Sequence, residues 1–142
     1  MTRIIRFEVP GAPAGKGRAR FVRATGHAYT PARTGKYEGL VRLAAAQAMA
    51  GSAPIAGACA VAIRALVPAP QSWSRKKRAA ALAGNLYPTT RPDVDNYAKI
   101  ILDACNGVVF IDDKQVVLLR VSKAYSDRPR LEAEIAVLEK PE

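Results

Sequence analysis

The sequence predicts a single α+β domain spanning residues 1–142, with a mixed β-sheet packed against about three helices. Its 142 residues suit one compact domain, and 49% hydrophobic with 24% charged residues is typical of a globular protein with a core. Segments with strand patterns alternate with segments whose apolar residues recur at helical spacing. No internal repeat or low-complexity linker divides the chain.

The sequence pattern of residues 4–51 predicts one strand and one helix. Ile4–Val9 alternates in the manner of a strand and ends at a Pro-Gly turn, after which residues 11–26 are rich in glycine, proline and arginine. Thr34 is placed to cap a helix that Gly51 would end. Apolar residues at helical spacing are expected to form its core face, namely Tyr37, Leu40, Val41, Ala44 and Ala48.

The remainder predicts two helices and several strands. Cys59–Val67 is an apolar run bounded by glycine and proline, as in a buried strand. Ser72 or Ser74 begins a second helix that ends near Gly84. A third helix runs from about residue 96 to 106, with an expected core face of Tyr97, Ile100, Ile101, Ala104 and Cys105. Further apolar strand segments are predicted at Val108–Ile111, Gln115–Val121 and Leu131–Leu138.

The net charge of +10 is unevenly distributed along the chain. Residues 1–92 contain 15 Lys and Arg and two acidic residues, a net +13, whereas residues 93–142 contain seven basic and ten acidic residues, a net −3. A folded basic domain is typically a polyanion binder, because Lys and Arg displace counterions from phosphates. We therefore expect DNA-binding side chains at Lys16, Arg18, Arg20, Arg23, Lys76, Lys77 and Arg91. The alternative to DNA binding for the cluster Arg75–Arg78 is that these residues form a solvated helix face without a ligand.

Cysteine and hydropathy patterns argue against several classes of protein. Cys59 and Cys105 lie far apart and His27 is the single histidine, so neither a zinc site nor a disulfide framework is expected. The two cysteines are predicted to be small buried hydrophobic residues. No apolar run approaches the ~20 residues that span a bilayer, and the N-terminus lacks a signal-peptide core. We expect a cytoplasmic protein without a membrane partner.

Aspartates are concentrated directly after the acid-free stretch 39–91. Pro92 is expected to hold the chain extended, so that Asp93 and Asp95 point the same way and offer oxygen ligands to Mg²⁺. Lys99 follows Asp95 by four residues on the same helix face, where its charge can stabilise a phosphate. The alternative is that these aspartates cap the helix and form a surface ladder of Asp95, Lys99 and Asp103.

Asp112 and Asp113 are the second candidate pair. Adjacent aspartates also suit a tight turn between two strands, and alternate residues of an extended segment face opposite ways. Only one of the two carboxylates therefore needs to point at a metal site, and their residue types do not decide which.

Two long motifs resemble the signature of the RusA family of Holliday-junction resolvases: Arg91-Pro-Asp-Val-Asp-Asn-Tyr-Ala-Lys99 and Leu102-Asp-Ala-Cys-Asn-Gly-Val-Val-Phe-Ile-Asp-Asp-Lys-Gln-Val116. The stretch Gly15-Lys-Gly-Arg-Ala-Arg-Phe21, with Tyr29-Thr-Pro31 and Tyr37-Glu38, is similar to that of phage and prophage members. The resemblance extends over roughly residues 3–138 and suggests a prophage or phage origin.

The resemblance implies a homodimeric, Mg²⁺-dependent endodeoxyribonuclease that cuts four-way junctions symmetrically in DNA recombination and repair. By the same resemblance, the metal-site aspartates are Asp93, Asp95 and Asp113, and the functional lysine is Lys99. A homodimer is also expected because one site cannot make two coordinated symmetric incisions. Two other readings of the residues stay open: a non-catalytic nucleic-acid-binding module, and a nuclease that prefers flap or fork DNA.

Overall fold

A computed structural model describes residues 3–15, 20–22, 27–29 and 32–138, with side chains described at 3–15 and 35–138. The strands are β1 (Ile4–Pro10), β2 (Arg20–Val22), β3 (His27–Tyr29), β4 (Cys59–Val67), β5 (Val116–Tyr125) and β6 (Arg130–Val137). The helices are α1 (Ala32–Met49), α2 (Arg75–Leu82) and α3 (Val94–Cys105), with a 3₁₀ turn at Asp113–Gln115. Within these ranges no helix is both long and apolar enough to cross a membrane.

Four strands form a mixed sheet in the order β1, β6, β4, β5. β6 pairs antiparallel with both β1 and β4, whereas β4 and β5 are parallel and are connected through α2 and α3. β2 and β3 form a separate antiparallel pair. α1 and α3 pack against each other, and both contact the sheet. The predicted α+β class, with a mixed sheet and three helices, is confirmed.

The core lies between this sheet and the helices α1 and α3. Alternate residues of β4 and β6 are buried on one face, among them Val61, Ile63, Leu131 and Ile135. The residues between them point to the other face of the sheet, where they form ion pairs, including Arg6 Nε with Glu134 Oε2 at 3.0 Å. Cys59 and Cys105 are buried free thiols, as predicted. One face of the sheet is therefore apolar and covered, and the other is charged.

α1 differs from its prediction at the start and on one face. The helix begins at Ala32, so Thr34 lies inside it and the predicted cap was wrong. Leu40 is 51% exposed, and its predicted core position was also wrong. The buried stripe repeats every four residues, at Tyr37, Val41, Ala45 and Met49. Leu40 lies one position, or about 100°, away from that stripe. Gly51, with φ +79, follows the end of the helix as predicted.

α2 and α3 begin after capping positions. Ser74 is the N-cap of α2, where its Oγ accepts a hydrogen bond from Lys77 N at 3.2 Å, which decides between the two predicted serines. α3 begins at Val94 instead of residue 96. Asp95 therefore lies in the first helical turn, and its predicted extended conformation was wrong. The predicted core face of α3 is confirmed, because all five of its residues are buried.

The predicted strand Val108–Ile111 is not formed. Cys105 O accepts hydrogen bonds from Val108 N and Val109 N, both at 3.0 Å, so the chain turns tightly at the end of α3. Phe110 makes only isolated bridges, with Ile55 and Asn106. The apolar character of this segment reflects complete burial of Val109 and Phe110 in the core, not strand pairing.

Candidate active site

Asp93 and Asp95 lie at the start of α3, and both are exposed. Asp93 is the N-cap residue, with φ −75 and ψ 160, yet its side chain makes no capping hydrogen bond. Capping therefore does not account for the Asp93 carboxylate. The partial positive charge at a helix N-terminus makes the first turn a favourable position for acidic residues.

Lys99 is exposed on α3, four residues after Asp95. Asp95 and Lys99 form no ion pair with each other in the described part of the chain. The first half of the surface ladder considered for this helix is therefore not formed. The Lys99 ammonium is left available for a ligand beside the two aspartates.

Asp112 and Asp113 have different surroundings. Asp112 Oδ1 accepts a hydrogen bond from Lys114 N at 2.9 Å, and Gln115 Oε1 accepts one from Asp112 N at 2.9 Å, which completes a capping box. Asp113 is half-buried, and its carboxylate has no hydrogen bond or ion pair among the described residues. The Asp112 carboxylate thus serves the 3₁₀ turn, whereas that of Asp113 remains available to a ligand.

Gln115 anchors this turn to the chain before β4. Its Nε2 donates to Ile55 O at 2.7 Å and to Gly57 O at 2.9 Å. Residue-by-residue reasoning assigned no role to Gln115, although a signal was present: the Asp-x-x-Gln spacing from Asp112 is that of a capping box. Gln115 therefore determines where Asp113 lies relative to the sheet.

Lys123, near the other end of β5, also anchors a segment of the chain through side-chain hydrogen bonds to backbone carbonyls. Its Nζ donates to Thr90 O at 2.8 Å and to Pro92 O at 3.1 Å, which holds the chain directly before Asp93. The sequence offered no signal for this role, because Lys123 lies in a strand pattern and bonds to backbone atoms more than thirty residues away.

The two parts of the candidate site lie toward opposite ends of β5. Asp113 precedes the first residue of the strand, whereas Pro92 is bound by Lys123 near its last. At about 3.3 Å per residue, the strand from Val116 to Lys123 spans roughly 23 Å. In the described ranges, no three His, Cys, Asp or Glu side chains lie close enough together to hold a metal ion. Within the described residues, Asp93 and Asp95 therefore share the start of α3, whereas Asp113 lies toward the other end of β5.

The glycine-rich segment begins against the first turn of α3. A Cβ on Gly15 would lie 2.7 Å from Pro92 Cβ and 2.9 Å from Asn96 Cβ, so only glycine allows this approach. Among the predicted DNA contacts in this segment, Lys16, Arg18 and Arg23 lie outside the described residues, as does the side chain of Arg20. Gly15 therefore lies against the residues that directly precede Asp93 and directly follow Asp95.

The basic residues of α2 are not equivalent. Lys76 and Lys77 are both exposed, but Lys77 Nζ lies 4.1 Å from the centroid of the Trp73 ring, a cation–π contact. Arg78 instead donates to Ala69 O and Pro70 O and so has a structural role. Arg91 is exposed next to Pro92 and lines the same cleft as Trp73. The fold thus places the start of α2 and Arg91 near the start of α3.

Two tyrosines are buried in the core beneath this region. Tyr97 Oη has no hydrogen-bond partner among the described residues, whereas the Tyr37 hydroxyl interacts with the backbone of Ala14. Burial raises the pKa of Tyr37 from 10.0 to about 12, and burial also raises the pKa of Tyr97. Both phenols are therefore neutral at physiological pH and do not act as bases.

Two comparisons with known proteins show the family of this chain. The sequence matches the family model described as Endodeoxyribonuclease RusA over residues 10–136, which include α3, the 3₁₀ turn and β5. It is also 41% identical over 135 residues to the uncharacterized protein YqaN of Bacillus subtilis (strain 168), an alignment that covers 92% of this chain and 94% of YqaN. The resemblance drawn from the two long motifs is thereby confirmed, and the chain belongs to the RusA endodeoxyribonuclease family.

Proposed function

We propose that the protein is a divalent-metal-dependent endodeoxyribonuclease that resolves four-way DNA junctions as a homodimer. The observation that carries this proposal is the pair of exposed carboxylates at the start of α3, Asp93 and Asp95, which no protein group neutralises within the described residues. They lie next to a basic surface formed by the start of α2 and Arg91. Carboxylates at a phosphate-binding surface require a bridging cation to be compatible with the substrate.

The donor set fits Mg²⁺. Asp93, Asp95 and Asp113 offer carboxylate oxygens that are free of hydrogen bonds from described residues, and Mg²⁺ prefers a few carboxylates together with water and phosphate. These three residues would hold the ion. When bound, Mg²⁺ activates water and neutralises charge on the phosphate, which is the chemistry that phosphodiester hydrolysis needs.

The other residues of the chain orient the substrate and stabilise charge. Lys99, on the same helix as the two aspartates, would place a positive charge near the phosphate in the transition state. Lys76, Lys77 and Arg91, together with the basic residues of segment 16–23, would bind backbone phosphates on either side of the cut. Contacts to phosphates recognise the shape and charge of the junction, not its base sequence.

The homodimer is part of the proposal because one chain leaves the metal ligands incomplete. β5 is an edge strand, and apolar side chains are exposed along it and just before the 3₁₀ turn: Ile111, Val117, Leu118 and Leu119. An exposed apolar edge is a ready surface for a second copy. It lies beside Asp113, so a partner docked there would bring its own Asp93 and Asp95 toward that carboxylate. Each metal site would then combine residues of both protomers.

The test is cleavage of a junction, a flap and a linear duplex at equal salt, with Mg²⁺ or with EDTA. We expect Mg²⁺-dependent, paired incisions in the junction, and Asp93→Asn and Asp95→Asn proteins that bind the junction without cutting it. Asp112→Asn is the matched control, because asparagine also caps a helical turn. Unchanged cleavage by the Asp93 and Asp95 variants would remove these residues from the mechanism. A preference for the flap would instead assign a different branched substrate.

A further inference from the structure

A cleft of about 320 Å³ lies beside the start of α3. Its walls are largely formed by proline and aromatic rings, among them those of Pro70, Trp73, Pro88, Pro92, Tyr97 and Tyr125. The charged residues among its described lining are Arg91 and Lys123, both cationic. Asp93 follows Pro92 directly, so the cleft opens next to the proposed metal ligands.

The walls of this cleft are held in place without a ligand. The Trp73 and Tyr125 rings pack edge to face, with centroids 5.4 Å apart and an interplanar angle of 67°. Lys77 covers the Trp73 ring, and Lys123 holds the chain at Thr90 and Pro92 through two hydrogen bonds. A pre-formed cleft binds its ligand without the cost of ordering side chains.

Tyr97 lines the cleft and is completely buried, and its hydroxyl lacks a hydrogen-bond partner among the described residues. Most buried polar side-chain atoms in proteins do have a partner, so an unpartnered hydroxyl in a cleft wall points to a ligand that supplies one. A phenol can either donate or accept, which allows it to bond to the edge of a heterocycle.

We propose that this cleft receives one unstacked nucleobase of the DNA substrate. Its rings offer stacking surfaces for a planar base, and Tyr97 offers a hydrogen bond to the base edge. Arg91 and Lys123 supply positive charge for the adjoining phosphates. A base enters such a cleft only after leaving its stack, which costs least where the duplex is already interrupted. The cleft would therefore favour branch points and contribute a base preference beside the cut.

The inference rests on the proposed nuclease function, since it assumes DNA as the ligand. Grooves lined by proline and aromatic residues also bind proline-rich peptides. Two observations favour DNA: no carboxylate is found among the described lining residues, and the cations Arg91, Lys123 and Lys77 line the cleft or contact its wall. A neutral proline-rich peptide has no need of these charges.

Trp73 is the single tryptophan, so its fluorescence reports on the cleft directly. The experiment titrates the full-length protein, in EDTA, with a four-way junction, with the same junction carrying abasic sites around the branch point, and with a linear duplex. We expect the intact junction to quench Trp73, and removal of the bases to weaken this response roughly 5- to 150-fold in affinity. Equal quenching by the abasic junction, or quenching by a proline-rich peptide that the junction does not displace, would overturn the proposal.

Tyr97→Phe tests the same proposal without disturbing packing, because the lost hydroxyl has no partner in the described protein. We expect this variant to lose discrimination among the four bases at the cleavage position by roughly 2- to 12-fold in kcat/KM. Tyr37→Phe is the control, since it removes the hydroxyl of another buried tyrosine that does not line the cleft. Equal discrimination in the Tyr97 variant and the wild type would exclude the hydrogen bond to the base.

The two proposals fail separately. Because fluorescence is measured without metal, base-dependent quenching in a protein that never cuts DNA would overturn the nuclease function alone. Cleavage of junctions together with base-independent quenching would overturn the cleft alone.

Discussion

Gly15 lies so close to Pro92 that a Cβ on residue 15 would be 2.7 Å from the Pro92 Cβ. This packing joins Gly15 to the start of α3, although the two are far apart in sequence. Any side chain at position 15 would have to move the chain beside Asp93.

Substitution at position 15 should therefore reduce cleavage. We expect Gly15→Ala to lower kcat by at least about tenfold through misplaced substrate groups, with a smaller loss of junction affinity. Gly39→Ala is the control, because a Cβ there meets nothing within 4 Å and alanine favours the exposed helix by about 0.5–1 kcal/mol. Single-turnover cleavage and equilibrium binding separate the two effects. Equal rates for Gly15→Ala and wild type would show that this contact does not position the site.

A metal site shared between protomers predicts complementation between inactive variants. Asp93→Asn and Asp113→Asn proteins should each be inactive as homodimers. In a mixed dimer, one shared site carries both substitutions, while the other combines intact Asp93 with Asp113 of the partner subunit. We therefore expect the mixture to nick one strand of the junction, as seen on a denaturing gel. A mixture without activity would mean that each site is formed within one chain.

Gln115 should matter through the placement of Asp113. Gln115→Ala removes the donor to Ile55 O and to Gly57 O, of which Gly57 O keeps its bond from Cys59 Sγ, and should cost about 1–3 kcal/mol of unfolding free energy. Cleavage should fall further than junction binding. Gln47→Ala, on the exposed surface of α1, is the control in urea unfolding. Unaltered stability in Gln115→Ala would contradict an anchoring role.

The basic surface predicts how binding depends on salt. Lys76→Ala should reduce the slope of log K against log salt by about 0.9, the effect of losing one phosphate contact. Arg6→Ala is the control, because Arg6 lies on the charged sheet face and pairs with Glu134 at 3.0 Å. The measurement is junction affinity over a series of salt concentrations. If Lys76→Ala has the wild-type slope, Lys76 does not contact phosphate.

Stability should decline at alkaline pH. The folded pKa of Tyr37 is raised from 10.0 to about 12, and that of the Cys105 thiol from 9.0 to about 12, because burial disfavours both charged forms. Groups with raised folded pKa values stabilise the fold fully below their unfolded pKa and lose this contribution as the pH rises to the folded value. We expect the urea midpoint to be constant from pH 7 to about 9 and to fall from there to about pH 12.

Tyr37→Phe should make that decline shallower. Tyr87→Phe is its control, because Tyr87 is 75% exposed. An identical pH dependence for wild type and Tyr37→Phe would exclude Tyr37 as a source of the alkaline loss.

Most elements could be predicted because their signals are local. The boundaries of β4, the Ser74 cap, the end of α1 at Gly51 and the core face of α3 all depend on a few neighbouring residues. The strand prediction failed where a segment is apolar because it is buried, and not because it pairs with a neighbouring strand. Val108–Ile111 is as apolar as a strand, but its backbone bonds to the end of α3 instead of to a neighbouring strand.

The sequence by itself determined the fold class, the family and the chemical type of the candidate site. The reason is that hydrophobic periodicity, helix caps and motif spacing each depend on residues close together in the sequence. Only the tertiary structure decided which groups are free and where they lie. The Asp112 carboxylate accepts a hydrogen bond within the 3₁₀ turn, and Lys123 positions Pro92. Asp113 and Asp93 lie toward opposite ends of β5. These relations follow from strand register and long-range hydrogen bonds, which join residues that no local pattern connects.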